Sequence, residues 1–244
     1  CICSVYYRTN VYEFIIAIDS LLIQNYIPNE IVILVDGKIK EDLKSFLKLL
    51  VSEKGLFKIY YISKNIGLGS ALRYGLPKCR NELIARFDSD DINLKNRLKI
   101  QYDYLKRNPD ISILGSNVIE FKKIDGDLIL KKMPINSNNL FKTYMVINPL
   151  NHPSILFRKK DILKVGSYKE IRFFEDYELW LRCIKSGLLI KNINKPLVAM
   201  KRSSFMANRI GIEYAYLEFK FLKHIIEHKL IDSIYIPIFI IRIF

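Results

Sequence analysis

Three carboxylates stand close together in Asp88-Ser89-Asp90-Asp91, directly after the apolar run of residues 83–87. The run predicts a buried strand, and acids at the exit of such a strand are costly to pack unless a cation meets them. Alternate side chains of an extended segment point the same way, so Asp88 and Asp90 can share one ligand. Carboxylate oxygens suit Mg²⁺ or Mn²⁺, which proteins commonly share with substrate phosphates. The spacing therefore predicts a metal or nucleotide site, and the alternative is that these acids cap the helical pattern beginning at Ile92.

A second pair of acids, Glu175-Asp176, stands just before an amphipathic helical pattern. One of the two carboxylates can act as a general base that takes the proton of an attacking hydroxyl. The preceding Phe173 and Phe174 supply apolar surroundings that would raise the pKa of such a base. The alternative is structural, because the helix dipole favours acids in the first turn. His152 is better explained as a structural or ligand-orienting residue than as a catalytic one.

Two further polar segments lie at the ends of predicted strands. Asp36, at the end of the second, can accept a hydrogen bond from a base or ribose, although Asp-Gly is also an ordinary turn. Asn65-x-Gly67-x-Gly69 opens a helix whose backbone N–H groups can face an anion. The dinucleotide fingerprint belongs to the first strand–helix turn, where this chain has Tyr7-Arg8-Thr9-Asn10, so nicotinamide binding is not predicted.

The composition is that of a globular protein with an anionic partner. The chain has 244 residues, 50% of them hydrophobic, and a net charge of +14, which favours an anionic lipid surface first, a phosphorylated substrate second and nucleic acid a distant third. Its four cysteines lack paired metal spacing, which indicates a reduced cytosolic compartment. The first residues predict a strand rather than a signal peptide.

The elements that must position these residues alternate in the first half, which predicts βαβ units and a largely parallel sheet. Strands are expected at 2–7, 30–35, 57–62 and 83–87, and helices at 10–24, 41–53, from 65 onward and at 96–107. Ligands of open α/β sheets bind at the carboxyl ends of the strands. The acid cluster would lie at that edge.

The second half has a mixed pattern. Residues 111–121 and 128–132 flank an Asp-Gly turn, which predicts a hairpin, and a strand at 154–158 precedes the helix after Asp176. A helix at 205–229 carries an apolar stripe, and the apolar residues 234–244 are too few to span a bilayer as a helix. This basic, aromatic-rich end can lie in the membrane interface, or it can pack on its own domain.

The ordered set of motifs resembles family 2 glycosyltransferases of the GT-A fold, of the bacterial kind that builds O-antigen, capsule and exopolysaccharide repeat units. The resemblance covers residues 2 to 200. It implies an α/β fold with a central mixed, mainly parallel sheet flanked by helices. It rests on Ser4-Val5-Tyr6, Ser20-Leu21-Leu22-x-Gln24-x-Tyr26, Asp36-Gly37, Asn65-x-Gly67, Asp88-x-Asp90-Asp91, Asn151-His152-Pro153-Ser154 and Glu175-Asp176-x-x-Leu179-Trp180-x-Arg182.

The resemblance also implies roles for single residues. Asp36 would contact the nucleotide base, and Asp88 the ribose or the metal. Asp90 would bind the Mn²⁺ or Mg²⁺ that bridges the diphosphate, and Asp176 would be the base of an inverting transfer. The remaining candidates are Tyr6 and Asn65 on the nucleotide-sugar side, and His152, Glu175 and Trp180 on the acceptor side.

Two positions depart from the family pattern. The usual Asp-Asp-Gly is Val35-Asp36-Gly37 here, so the base contacts rest on one acid. Arg73 stands where the family commonly has Asn, and it can touch a phosphate instead.

These expectations combine into one hypothesis. Residues 1–203 would form the GT-A domain, with a nucleotide-sugar half at 1–93 and an acceptor half at 94–203, and residues 204–244 a C-terminal helix and apolar tail. The enzyme would extend a polyprenyl-diphosphate-linked glycan at the cytoplasmic face of the cell membrane, bound peripherally to the anionic lipid surface, with no nucleic acid involved. The alternatives are a nucleotidyltransferase, whose phosphate loop after the first strand is missing, and a non-catalytic GT-A-like binding protein.

Overall fold

Three parallel strands form one side of the sheet. The computed structural model describes residues 1–52, 55–122, 126–135, 147–202 and 211–243. The strands are β1 (Ile2–Val5), β2 (Ile31–Asp36) and β3 (Phe57–Ile62), with β2 in the middle. Every residue of β2 is buried, which explains its continuous apolar sequence, because a parallel strand covered on both faces shows no alternation.

Helices cover this part of the sheet on both faces. Alternate β2 residues such as Ile33 pack with α1 (Val11–Leu22) and α2 (Glu41–Ser52), whereas their neighbours such as Leu34 pack with α3 (Leu68–Gly75). Asn10 caps α1, because its side-chain oxygen accepts the N–H groups of the second and third helical residues. The helix expected over residues 10–24 therefore begins directly after its cap.

Six more strands continue the fold as a mixed sheet. They are β4 (Leu83–Ala85), β5 (Ile92–Asn93), β6 (Ile111–Phe121), β7 (Leu128–Lys131), β8 (Leu156–Arg158) and β9 (Leu189–Lys201), in the order β4-β8-β6-β9-β5 with β7 beside β6. β6 and β9 are parallel, and the other pairs are antiparallel. A parallel bridge between Ile2 and Arg86 links this sheet to β1. Parallel pairing thus prevails in the first half and antiparallel pairing in the second.

The helices of the second half are α4 (Arg97–Arg107), α5 (Lys159–Lys164), α6 (Glu175–Lys185), α7 (Ile212–Glu227) and α8 (Ile236–Ile243). The predicted hairpin is confirmed by the antiparallel β6–β7 pair, although 123–125 of its turn lie outside the described residues. The predicted start of the last long helix at 205 also falls outside them. No helix in the described ranges is long and apolar enough to cross a bilayer.

Strand β9 is the main element that the sequence analysis does not predict. Its 13 residues pair with β6 along their length. Asn192, Asn194 and Pro196 break the expected alternation, and the register shifts between Ser116 and Val118 of β6, where β9 passes Asn194 and Pro196. Such irregularities accommodate a proline inside a sheet.

One buried arginine ties the strands together beneath the acid cluster. Arg97 is fully buried, and its guanidinium donates to the carbonyl oxygens of Arg86 (2.7 Å) and Ile155 (3.1 Å). The same group donates to the side-chain oxygens of Gln101 (3.1 Å) and Asn93. The guanidinium of Arg97 thus binds four acceptors and connects the segments that carry them.

We expect Arg97→Leu to lower the free energy of unfolding by about 3 kcal/mol, because buried acceptors lose their donors. Urea unfolding would measure it. Arg107→Leu, an exposed position at the end of the same helix, is the matched control and should cost no more than about 0.5 kcal/mol. Equal losses would mean that the buried hydrogen bonds contribute little.

Candidate active site

Asp88 is held by a buried arginine. One guanidinium nitrogen of Arg86 donates to Oδ2 of Asp88 at 2.6 Å, and the other pairs with Oδ1. Arg86 is 2% exposed, whereas the Asp88 side chain is 37% exposed. The carboxylate therefore reaches the surface with its orientation fixed from below.

The other two acids of the cluster differ in their surroundings. Burial raises the pKa of Asp90 to about 6, and the nearby charges of Asp88 and Glu13 add to the effect. Asp91 is buried, and its Oδ1 accepts the backbone N–H of Lys201 on β9 at 2.8 Å. Its buried Oδ2 has no hydrogen-bond partner among the described residues. Helix α4 has Asn96 rather than an acid at its cap position.

This crowding of like charges fits a divalent cation. The described part of the chain contains no group of three or more His, Cys, Asp or Glu side chains arranged to hold a metal. Asp88 and Asp90 remain as the partly exposed carboxylates, and their oxygens are the ligands that Mg²⁺ and Mn²⁺ prefer. An ion bound to two carboxylates completes its shell with water and substrate phosphates.

A cavity of about 230 Å³ opens beside Asp90. The ammonium group of Lys201 forms an ion pair there with Glu13 of α1. Two acids and two lysines are thus among the residues that line this cavity, which are Glu13, Ile16, Asp90, Ile92, Phe121, Lys122 and Lys201.

Asp36 organises the loop between β3 and α3. Its two carboxylate oxygens accept the N–H groups of Ile66 (2.8 Å) and Gly67 (3.0 Å), and its carbonyl accepts the side-chain amide of Asn65 (3.2 Å). Burial raises its pKa despite these hydrogen bonds. Gly37 has a φ of +81°, and a Cβ there would lie 2.6 Å from the Asn65 nitrogen. Only glycine fits this turn.

The other nucleotide-side candidates lie near the same edge or on α3. Tyr6 follows β1, the parallel neighbour of β2, so Tyr6 and Asp36 lie at one edge of the sheet. The Tyr6 ring is partly exposed, and its N–H donates to Thr9 Oγ1 at 3.0 Å. Arg73 is exposed on α3, the helix that the Asp36 loop leads into.

Asp176 lies in the first turn of α6, at the point where that helix meets α3. Its Oδ2 accepts the side-chain amide of Asn148 at 2.8 Å, and its Oδ1 accepts the N–H of Tyr177 at 2.7 Å. A Cβ on Gly69 would lie 3.0 Å from the Cβ of Glu175. The candidate base is therefore carried by a helix whose start packs directly against the glycine motif.

His152 and Trp180 lie inside the protein rather than at a surface open to an acceptor. His152 is 8% exposed, its Nε2 is 3.0 Å from the Tyr168 hydroxyl, and its ring centroid is 6.0 Å from that of the fully buried Trp180. Burial lowers the pKa of His152 well below its ordinary value, and the charge of Arg86 acts in the same direction. The imidazole of His152 is therefore neutral at pH 7 and packed in the core.

The sequence analysis missed a buried charge cluster around Glu178 of α6. This fully buried carboxylate pairs with Arg182 at 2.7 Å, with Lys169 at 3.1 Å and with His224 of α7 at 3.4 Å. Burial alone would raise its pKa, but Arg182 and Lys169 hold it below the usual range. The i,i+4 spacing of Glu178 and Arg182 was a visible signal. Lys169 and His224 come from other segments, and no sequence pattern linked them to Glu178.

We expect Glu178→Gln to destabilise the protein by about 3 kcal/mol at pH 7, because breaking a buried ion pair leaves cations unpaired. The pKa of Glu178 is lower in the folded protein than in the unfolded chain, where it is about 4.3. The stability that the ion pairs contribute is therefore fully present above about pH 4.3, and it is lost as the pH falls through the folded pKa. Urea unfolding at several pH values should show the two proteins converge in acid. A difference that stays constant with pH would contradict the ion-pair explanation.

Comparison with known proteins identifies the family of the chain. The family model described as Glycosyl transferase family 2 matches residues 12–166. The UDP-Gal:alpha-D-GlcNAc-diphosphoundecaprenol beta-1,3-galactosyltransferase of Escherichia coli is 38% identical over 210 residues, which are 85% of this chain and 76% of that protein. The amylovoran biosynthesis glycosyltransferase AmsE of Erwinia amylovora is 35% identical over 192 residues, 79% of this chain and 71% of that protein.

A solved structure shares the fold. The mannosyltransferase PcManGT from Pyrobaculum calidifontis, in complex with GDP-Man and Mn²⁺, superposes with a TM-score of 0.65 at 12% identity, covering 98% of this chain and 67% of that one. The expected GT-A fold is confirmed, and the nucleotidyltransferase alternative is set aside. With its matched family model and its two relatives above 30% identity, the chain belongs to glycosyl transferase family 2.

Proposed function

We propose that this glycosyltransferase moves a sugar, with inversion, from a nucleotide-diphosphate sugar to a polyprenyl-diphosphate-linked glycan in surface polysaccharide synthesis. The observation that carries the proposal is the packing of Gly69 against Glu175, because it joins the nucleotide-side loop to the helix that bears Asp176. The name of the Escherichia coli relative states a UDP-Gal donor and a diphosphoundecaprenol-linked acceptor. The Erwinia relative acts in amylovoran synthesis.

The donor would occupy the edge that carries Asp36 and Asp88. In our proposal Tyr6 and the loop of Asn65, which Asp36 orders through two N–H groups, border the nucleoside. Arg73 lies on the helix that follows this loop, with its side chain exposed. A guanidinium there suits a phosphate oxygen.

Asp88 and Asp90 would hold Mn²⁺ or Mg²⁺. The support is their like-charge crowding and partial exposure, together with the Mn²⁺ in the PcManGT complex. Such an ion neutralises the charge that develops on the departing diphosphate. The remaining chemistry falls to the side chains of this chain.

Asp176 would be the general base. The acceptor hydroxyl oxygen bonds to the anomeric carbon from the face opposite the diphosphate, and its proton passes to the Asp176 carboxylate. The bond between the anomeric carbon and the diphosphate oxygen breaks, and the nucleoside diphosphate leaves with the electron pair. Asn148, which donates to Oδ2, would fix the orientation of the carboxylate.

We expect Asp176→Asn to lower turnover by about 10³-fold or more, because a positioned general base contributes about 10²–10⁴-fold. Binding of the nucleotide sugar should be nearly unchanged. Transfer of radiolabelled sugar to a lipid-diphosphate acceptor and calorimetric titration with the donor would measure the two effects.

Asp42→Asn is the matched control for this variant, since Asp42 lies in the first turn of α2 and its Oδ1 likewise accepts the N–H of the next residue at 2.7 Å. It should keep full activity. Retained activity in Asp176→Asn would refute the base assignment. Donor binding without any transfer by the wild-type protein would support the non-catalytic alternative.

We propose that the enzyme works as a peripheral protein at the cytoplasmic face of the cell membrane. Helix α7 buries Phe221 and Ile225 against Tyr177 and Leu181 of α6, which agrees with the domain-packing alternative for that stripe. Its other face leaves Tyr216 and Phe219 more than half exposed. Aromatic side chains beside Lys220 and Lys223, whose heads can reach lipid phosphates, suit an anionic interface.

We expect Tyr216→Ser with Phe219→Ser to reduce sedimentation with phosphatidylglycerol-containing vesicles about tenfold, because two apolar groups no longer enter the interface. Ile23→Ser with Val51→Ser, which removes two similarly exposed apolar residues of other segments, is the control. Equal effects of the two pairs would contradict docking through α7.

A further inference from the structure

We infer that Arg86 is a positioning residue that competes with the divalent cation for Asp88, so that the cation binds weakly until a nucleoside diphosphate is present. The inference rests on the proposed function and adds a control of binding order to its metal subsite. It concerns a residue that the sequence motifs did not single out.

The geometry of the pair is the first support. Both terminal nitrogens of Arg86 reach Asp88, one to each carboxylate oxygen. A guanidinium fork that meets a carboxylate in this way makes two parallel charge-assisted hydrogen bonds. A cation that bound to either oxygen would have to share it with an N–H donor.

The burial of Arg86 favours its ion pair with Asp88 over binding of the cation to Asp88. The guanidinium is almost fully buried, and among the described residues Asp88 is the only side chain recorded as its ion-pair partner. A buried charge that loses its partner is strongly disfavoured. Arg86 therefore resists release of Asp88, and the partly exposed Asp90 is left as the acid more open to a cation.

The charges around the pair explain why a second anion is needed. Asp90 and Asp91 follow Asp88 within three residues of the chain, and Lys201 lines the same cavity as Asp90. Two fixed cations thus already offset the acids. A diphosphate brings negative charge of its own, and the ion can then bridge it to the protein.

A purely structural role for Arg86 makes a different prediction. It would cost stability and would leave the affinity for a cation unchanged or weaker. The competition predicts the opposite sign, because removing a neighbouring positive charge strengthens cation binding to a carboxylate.

The experiment is calorimetric titration of the full chain with Mn²⁺ alone, and with UDP in the presence of Mn²⁺. Arg86→Gln should bind Mn²⁺ alone about tenfold more tightly than wild type, which corresponds to one neighbouring charge. It should bind UDP with Mn²⁺ several-fold more weakly, because Asp88 is no longer held. Arg86→Lys keeps the charge without the fork and should change both constants in the same directions by less.

Arg158→Gln is the matched control, since Arg158 is partly buried and donates only to backbone carbonyls of Leu105, Asn108 and Ile111 in the described residues. It should lose stability and keep both constants. If Arg86→Gln fails to fold, Arg86→Lys still tests whether Mn²⁺ alone binds more tightly than to the wild type. Unchanged or weaker Mn²⁺ binding in the folded Arg86 variants overturns the inference alone. Absence of Mn²⁺ binding in every protein, with and without UDP, overturns the metal step of the proposed function as well.

Discussion

The arrangement of the acid cluster depends on the buried guanidinium of Arg97. The segment with Asp88 and Asp90 leaves β4 and returns as β5, and Arg97 holds both ends, through the carbonyl of Arg86 and the side chain of Asn93. Gln101 extends the network by donating to the carbonyls of Leu114 in β6 and of Ser154, just before β8. A charge buried this deeply is tolerated because nearly every donor has an acceptor. The partly exposed acids are therefore set by hydrogen bonds that lie wholly inside the protein.

The same principle connects the two sides of the site. On the nucleotide side, a carboxylate at the end of β2 orders the loop before α3, and Gly69 allows the backbone of Lys169 to approach it closely. Lys169 in turn pairs with Glu178 of α6, which also pairs with Arg182 of the same helix. The loop before α3 and the helix that bears the proposed base thus share one short chain of contacts.

The sequence predicted those parts of the protein whose signals are local. Strands β1 to β3 and their helices follow from apolar runs and caps, and the polar residues at strand ends marked the edge at which Asp36 and Asp88 lie. Strand β9 was missed because it depends on pairing with β6, and its polar residues hide that pairing. The roles of Arg86 and Glu178 were missed for the same reason, since a charged residue becomes structural only through partners brought by the fold. The opposite holds for His152 and Trp180. The family motifs singled out both residues as site candidates, but the fold buries them.

The contact between α6 and α7 bears on how this enzyme can be shortened or recombined. Phe174 stacks on Phe221 with ring centroids 4.6 Å apart, and His224 reaches the buried Glu178. A cut after the GT-A strands would expose an aromatic surface and remove the imidazole that covers Glu178 on the helix that bears the proposed base. Chimeras that exchange the C-terminal segment between relatives therefore inherit a compatibility requirement at α6. In this protein the C-terminal helix and the helix that bears the proposed base form one packing unit.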